Sequence, residues 1–164
     1  MIYRRASAND AEAVANLIYS FRSVLTLDRS GRGAEEFLAS VSAEAERSYI
    51  TSDRFHYLVA EADSSLAGFI AMRDRTHLFH LFIEARFQSQ GLAGELWRRA
   101  HASACQPGLA NEFTVNSTPL AVPVYMRFGF EQCSPRVETH GIAFIPMRLK
   151  EGSIPPNNTL ERSP

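Results

Sequence analysis

A polar, glycine-bearing turn near the middle of the chain has the residue types of a phosphate-binding site. The apolar run His77–Ile83 leads into Gln88-Ser89-Gln90-Gly91-Leu92-Ala93-Gly94, and the amphipathic segment Leu92–Ala104 follows. The predicted order is strand, turn and helix start. The first N–H groups of a helix have no acceptor within the helix, and the helix dipole adds positive charge at that end. We therefore expect this turn to bind a phosphate group.

Two other phosphate-binding motifs fit this turn less well. A dinucleotide-binding fingerprint requires a second glycine at the position of Ala93, and a Walker loop requires Gly-Lys-Ser/Thr, which is absent. A structural alternative stays open at this point, in which the small residues serve only the close packing of a helix start.

The hydrophobic pattern predicts alternating helices and strands around the turn. Residues 76–83 are apolar on both faces, so we place that strand at the centre of a sheet. Residues 63–65 predict a hairpin turn between two β-prone runs. The predicted strands are residues 2–6, 55–62, 66–73, 76–83, 112–116, 130–137 and 142–149. The predicted helices follow Ser7, cover residues 34–48 and 92–104, and run from Thr118 to Gly129, and Pro107-Gly108 predicts a loop.

Bulk properties favour one globular domain over residues 1–150. The chain has 164 residues, a formal net charge of −1 and no apolar stretch long enough to span a bilayer. Its first residues show no signal region, and Cys105 and Cys133 have no metal-binding or redox spacing, so we expect a cytoplasmic protein. The near-neutral charge does not favour a nucleic-acid partner. Residues 151–164 have little apolar content and are predicted to be a disordered tail.

Two motifs together resemble the GNAT superfamily of N-acetyltransferases. The segment 88–93 is similar to its acetyl-coenzyme A turn, and Tyr125-Met126-Arg127-Phe128-Gly129-Phe130 is similar to its late Tyr-x-x-x-Gly-Phe signature. The order of elements between residues 2 and 149 fits as well. The resemblance implies an α/β (α+β) fold, with a mixed, mostly antiparallel central sheet of about six to seven strands flanked by about four helices.

The resemblance also implies which residues bind acetyl-coenzyme A. Main-chain groups near Leu81, Phe82 and Ile83 would pair with the pantetheine arm like an added strand, and one of their N–H groups would stabilise the oxyanion. Asn116 would contact the cofactor or bound water, and Thr118 stands where many relatives carry Asn. The pyrophosphate would lie against backbone groups of Gln88, Ser89, Gln90, Gly91, Leu92, Ala93 and Gly94.

Tyr125 and His77 are the catalytic residues that the resemblance implies. Tyr125 occupies the position of the family's general acid, and a phenol can donate a hydrogen bond to the leaving thiolate. His77 lies fourteen residues before Gly91, where several family members carry a Glu or His base on the central strand. Glu84 is the second choice for the base. His80, three residues after His77, is expected on the opposite face of the strand.

The implied function is transfer of the acetyl group of acetyl-coenzyme A to an amine by direct attack in a ternary complex. The acceptor would be a small-molecule or protein amine, lying against the first two helices and the loop 25–33. No metal and no membrane partner are expected, and a homodimer is possible because dimers are common in this family. Two alternatives stay open: a coenzyme A-binding module without turnover, and a transferase acting on aminoacyl-tRNA, which the near-neutral charge weakens.

Overall fold

The computed structural model describes residues 1–106 and 111–150, in which helices cover both faces of a twisted sheet. The described strands are β1 (Ile2–Arg5), β2 (Phe55–Ala62), β3 (Ser65–Arg73), β4 (His77–Ile83), β5 (Glu112–Ser117), β6 (Glu131–Gln132), β7 (Val137–Thr139) and β8 (Ile142–Lys150). The described α-helices are α1 (Ala11–Ser20), α2 (Arg22–Leu25), α3 (Glu35–Ser40), α4 (Ala43–Ile50), α5 (Leu92–Ala104) and α6 (Val122–Arg127). Short 3-10 helices cover Ala8–Asp10, Ala85–Phe87 and Pro119–Ala121.

The strands form one mixed sheet in the order β1-β2-β3-β4-β5-β8-β6, with β7 also paired to β8. Neighbouring strands are antiparallel except for β4 and β5, which run parallel. The strand β4 is therefore central, and the predicted fold class is confirmed. The predicted hairpin between β2 and β3 turns at Asp63 and Ser64, which both have positive φ angles, as in a type I′ turn.

Each face of the sheet has its own apolar core. On one face, the helix α5 packs its buried side chains, including Leu96 and Trp97, against strand residues such as Leu78 and Phe113. On the other face, α1 and α4 pack against Phe69 and its neighbours. The buried positions of α5 recur at helical spacing, as its sequence pattern predicted.

Two predicted elements are wrong in their extent. The single helix predicted over residues 34–48 is divided into α3 and α4, because Ser42 has extended backbone angles and its hydroxyl accepts a hydrogen bond from the N–H of Ala45 as the cap of α4. The strand predicted over residues 130–137 is divided into β6 and β7. Pro135 lies between them, and proline cannot donate a hydrogen bond to a sheet ladder.

The helix predicted after Thr118 begins as a 3-10 turn and becomes α6 at Val122. Thr118 occupies the cap position, although its side chain makes no capping hydrogen bond to the described residues. Gly129 ends the helix with a φ angle of 97°, as predicted. The predicted loop at Pro107-Gly108 and the predicted tail 151–164 lie outside the described residues. Within residues 1–106 and 111–150, no helix is long and apolar enough to cross a membrane.

Candidate active site

The central strands β4 and β5 separate after a short parallel contact. They pair only at His77 with Thr114 and at Leu78 with Val115. Beyond Leu78, no strand in the described part of the chain pairs with the β5-facing edge of β4. The carbonyl of Ile83 accepts a hydrogen bond from the Gln88 side-chain amide at 3.1 Å, and the edge of residues 79–82 before it has no strand partner. Such an edge can accept an extended ligand as an additional strand.

A cavity of about 280 Å³ opens between the separated strands. Its walls come from α1, α2 and α3 on one side and from β5, α6 and β8 on the other, with β4 as the floor. Six of the predicted site residues line this cavity together, namely His77, Leu81, Phe82, Asn116, Thr118 and Tyr125. Ile83 and the turn 88–94 are not among its lining residues; Gln90, Gly91 and Leu92 line a separate depression beside Tyr3.

Tyr125 reaches the cavity from the end of α6. Its side chain is only 7% exposed and packs edge-on against Phe128 and Phe130. Its hydroxyl makes no hydrogen bond to any described residue. Burial raises the pKa of this phenol above its usual range. The hydroxyl is therefore protonated at physiological pH and can donate to a group in the cavity.

His77 begins β4 and is held by a hydrogen bond of 2.8 Å between its Nδ1 and the Thr114 hydroxyl. Burial and the nearby charge of Arg73 lower the pKa of His77 to about 4. The ordinary imidazole value that the sequence suggested does not apply here. The ring is neutral at physiological pH and can accept a proton, but it is a weaker base than an exposed histidine.

His80 lies on the same face of β4 as His77, and the prediction of opposite faces is wrong. A β-bulge shifts the register so that Ala71 pairs with His80 and Met72 pairs with Leu78, leaving Phe79 as an extra residue. Because of that extra residue, His77 and His80 both point away from α5 and both line the cavity. Sequence periodicity alone gives no signal for a bulge in an apolar strand.

A buried carboxylate on α4 holds His80 in place. Glu46 is 0% exposed, and its Oε1 lies 3.1 Å from Nε2 of His80. The Tyr57 hydroxyl donates to the other oxygen, Oε2, at 2.7 Å. Glu46 was not singled out from the sequence, because it lies off the apolar face of the single helix predicted over residues 34–48; the separate helix α4 turns it inward with Ile50.

The turn before α5 presents a run of backbone N–H groups. The six consecutive N–H groups from Ser89 to Gly94 donate to no acceptor in the described residues. Ser89 and Gly91 have positive φ angles of 59° and 82°, and no atom of another residue lies within 4 Å of the Cβ position of Gly91. The turn thus has the donors and the open space that an anion at a helix N-terminus requires.

The charged side chains beside the turn are already paired. Arg86 donates from Nε to Glu84 at 2.8 Å, and its guanidinium lies over the Phe87 ring. Glu95 accepts hydrogen bonds from Arg98 and Arg99, which lower the pKa of its carboxyl to about 2. Glu84, the second choice for a base, is absent from the cavity lining.

One further charged residue lines the cavity and was not singled out from the sequence. Arg73, the last residue of β3, pairs in register with His77. Its position at a strand end beside a polar turn carried no functional signal. Among the described residues, no group of three or more His, Cys, Asp or Glu side chains could hold a metal ion.

Solved structures that share this fold include several acetyltransferases. The PaiA N-acetyltransferase from Thermoplasma acidophilum, in complex with coenzyme A, is 21% identical with a TM-score of 0.69, covering 91% of this chain and 98% of that chain. An aminoglycoside 6'-N-acetyltransferase complexed with coenzyme A is 13% identical with a TM-score of 0.68, covering 92% and 97%. The aminoglycoside 6'-N-acetyltransferase from Enterococcus faecium is 15% identical with a TM-score of 0.64, covering 92% and 97%.

No curated protein matches this sequence. A family model, described as the acetyltransferase (GNAT) domain, matches residues 25–151, which is more than half of the chain. That match includes the turn 88–94, the cavity floor β4 and the Tyr125 motif. Together with the fold, it establishes that this chain belongs to the GNAT family of acetyltransferases.

Proposed function

We propose that this protein is an N-acetyltransferase that moves the acetyl group of acetyl-coenzyme A to the amine of a small molecule. The observation that carries the proposal is the cavity in which Tyr125 and His77 meet beside the open edge of β4. The reaction forms an amide bond to the amine nitrogen and breaks the thioester C–S bond. It releases one proton net when the amine enters as an ammonium ion.

The fit of coenzyme A rests on two features of the chain. The six unpaired N–H groups of residues 89–94 would hold the pyrophosphate, and the edge of Leu81, Phe82 and Ile83, which has no strand partner, would pair with the pantetheine arm. Asn116 and Thr118, which line the cavity, would contact the cofactor near its reactive end. Two of the structural neighbours contain coenzyme A, which supports this proposal. When bound, acetyl-coenzyme A supplies the activated acetyl group.

The two catalytic side chains have separate roles in the proposal. His77, neutral at physiological pH, accepts a proton from the attacking amine directly or through water. Tyr125, which keeps its proton because it is buried, donates a hydrogen bond to the leaving sulfur. The open N–H groups of β4 would stabilise the developing negative charge on the acetyl oxygen. Thr114 keeps the His77 ring in a fixed orientation.

The first experiment measures thermal unfolding with and without acetyl-coenzyme A, using NADH and ATP as control ligands. A ligand at about 100 times its Kd stabilises a protein by about 2.7 kcal/mol, which raises Tm by several degrees. We expect this shift with acetyl-coenzyme A alone. Its absence would remove the basis of the proposal.

Release of free thiol from acetyl-coenzyme A in the presence of an amine panel then measures turnover. Binding without turnover of any amine would favour the coenzyme A-binding module that the sequence left open. A steep salt dependence of binding to charged tRNA would favour the aminoacyl-tRNA alternative. A cytoplasmic location and a homodimer stay predictions, to be checked by cell fractionation and by light scattering.

A further inference from the structure

Among the described residues, the charged side chains that line the cavity are positive and none is negative. The titratable side chains that line it are Arg73, His77, His80 and Tyr125, and in the described part of the chain no Asp or Glu lines it. A site for a polycationic amine needs carboxylates to offset the positive charges of its ligand. This cavity has a fixed positive charge instead.

Two carboxylates that contact lining residues have other hydrogen-bond partners. Glu46 is fully buried and hydrogen-bonded to Tyr57 and His80. Asp74 accepts two hydrogen bonds from Arg54, from Nε at 2.9 Å and from an Nη at 2.7 Å. Glu46 is therefore occupied, and Asp74 is held chiefly by Arg54, although its charge also acts on His77.

Arg73 keeps its hydrogen-bond donors unused. Its guanidinium makes no hydrogen bond to the described residues, and its ionic contact with Asp74 is long, at 3.9 Å. The guanidinium lies over the face of the Phe79 ring, 5.5 Å from its centroid, at the cavity wall. A planar guanidinium with open donors is the side chain best suited to bind a carboxylate.

The remaining lining of the cavity is mostly apolar, with Asn116 and Thr118 as its uncharged polar residues, and the space is small. Apolar side chains from α1, α2, α3 and β8 line it, namely Ile18, Leu25, Phe37, Ile142 and Phe144. The volume of about 280 Å³ lies at the low end of the range for small-molecule sites, and the acetyl end of the cofactor would share it. A small molecule with an apolar part therefore suits this space.

We propose that the acceptor is a small apolar amine that carries a carboxylate, as an apolar α-amino acid does, and that Arg73 binds this carboxylate. The proposal rests on the proposed function and adds the class of its acceptor. An amine on the carbon next to the carboxylate would lie close to His77, because Arg73 and His77 are paired in register on adjacent strands.

The contact between Arg73 and the carboxylate of the acceptor would also change how readily His77 accepts a proton. The positive charge of Arg73 is one cause of the lowered pKa of His77, after burial. A carboxylate bound to Arg73 offsets that charge, so His77 becomes a better proton acceptor when the correct acceptor is present. An amine without a carboxylate would meet the weaker base. The discrimination would therefore be seen in kcat as well as in KM.

The test compares L-phenylalanine and L-leucine with phenylethylamine and isoamylamine, which lack only the carboxylate, and with spermidine as a polycation. Thiol release from acetyl-coenzyme A measures turnover, and calorimetric titration into the protein saturated with coenzyme A measures binding. We expect the amino acids to bind and to be acetylated in preference to the other amines. Arg73→Gln should lower kcat/KM for the amino acids about 10- to 100-fold, the loss expected for a charge-assisted hydrogen bond. For the decarboxylated amines it should leave kcat/KM unchanged or raise it, because the variant also removes a charge that lowers the pKa of His77. Arg73→Lys should restore part of this loss.

Arg136→Gln is the matched control, because Arg136 pairs with Glu138 and does not line the cavity. The proposal is overturned if spermidine or the decarboxylated amines are preferred, if no amine binds although acetyl-coenzyme A does, or if Arg73→Gln acts like the control. Failure of acetyl-coenzyme A itself to bind would instead contradict the proposed function, so the two failures are distinguishable.

Discussion

At the residue scale, removing the hydroxyl of Tyr125 tests its proposed role as the general acid most directly. The hydroxyl faces the cavity without a hydrogen bond to the described residues, so its removal leaves no protein group unsatisfied. Tyr125→Phe should lower kcat about 10- to 1,000-fold while leaving the Kd for coenzyme A and Tm nearly unchanged. Steady-state kinetics and thermal unfolding of the same preparation measure both. An unchanged kcat would reject the acid role.

The pKa of His77 predicts how kcat/KM depends on pH. With a folded pKa of about 4, set by burial and by the charges of Arg73, Asp74 and His80, His77 should give kcat/KM an acidic limb near pH 4 rather than near 6.5. His77→Gln should abolish this limb. A limb that persists with the same apparent pKa in the variant would assign the base to another group, for which His80 is the next residue on the same face.

The pKa of His77 also predicts how the free energy of unfolding depends on pH. The folded pKa of this residue lies below the usual histidine value of about 6.5 in an unfolded chain, so the unfolded state binds more protons between those two pH values. The contribution of His77 to the free energy of unfolding is fully present above about pH 6.5 and is lost as the pH falls to about 4. His77→Gln should flatten this slope in urea unfolding. His140→Gln, on an exposed turn, is the matched control; an equal slope in wild type and His77→Gln would contradict the burial of a neutral ring.

At the element scale, the contact between β3 and β4 sets the position of the open edge. A Cβ atom at Gly68 would lie 2.8 Å from the carbonyl oxygen of Phe82, a backbone atom that can move only if β4 moves. Gly68→Ala should therefore destabilise the protein by about 1–3 kcal/mol and weaken coenzyme A binding. Urea unfolding and calorimetric titration measure the two effects.

Gly94→Ala is the control for Gly68→Ala, because a Cβ atom at Gly94 meets no clash. The nearest atom to a Cβ atom at Gly94 is a Phe128 carbon at 3.9 Å, so alanine fits without a clash. Because alanine is the better helix former, Gly94→Ala should stabilise the protein by about 0.5–1 kcal/mol. If both variants changed stability equally, close strand contact at Gly68 would not be the cause.

At the scale of the whole molecule, Glu46 joins the helical layer to the sheet and the cavity. Its two carboxylate oxygens contact Tyr57 on β2 and His80 on β4, and the burial of this cluster, together with the adjacent carboxylate, raises the pKa of Tyr57. Glu46→Ala should cost about 2–4 kcal/mol of stability, because it leaves buried polar groups without partners.

A double-mutant cycle with Tyr57→Phe separates the hydrogen bond from the lost packing. We expect the two substitutions to be non-additive by about 1 kcal/mol in urea unfolding, since Tyr57 and Glu46 share one bond. Additive effects, or a Glu46→Ala variant as stable as wild type, would show that the network does not hold the two layers together.

The sequence by itself determined the features that depend on neighbouring residues. The bounds of α5, the turn before it, the central place of β4, the hairpin at residues 63–65 and the left-handed end at Gly129 were all predicted. Each follows from local periodicity, from a cap or from a turn residue. The two motifs also predicted the family to which the chain belongs.

Only the tertiary structure decided how the cavity is built. The bulge at Phe79 brings His77 and His80 to one face, and it arises from the pairing of β4 with β3 rather than from a pattern within β4. Arg73 and Glu46 acquire their roles from contacts with residues of distant elements. Such contacts depend on strand register and on the packing of helices against the sheet, which are set by the whole core. For that reason the turn 88–94 could be predicted from the sequence, whereas the charge of the residues that line the cavity could not.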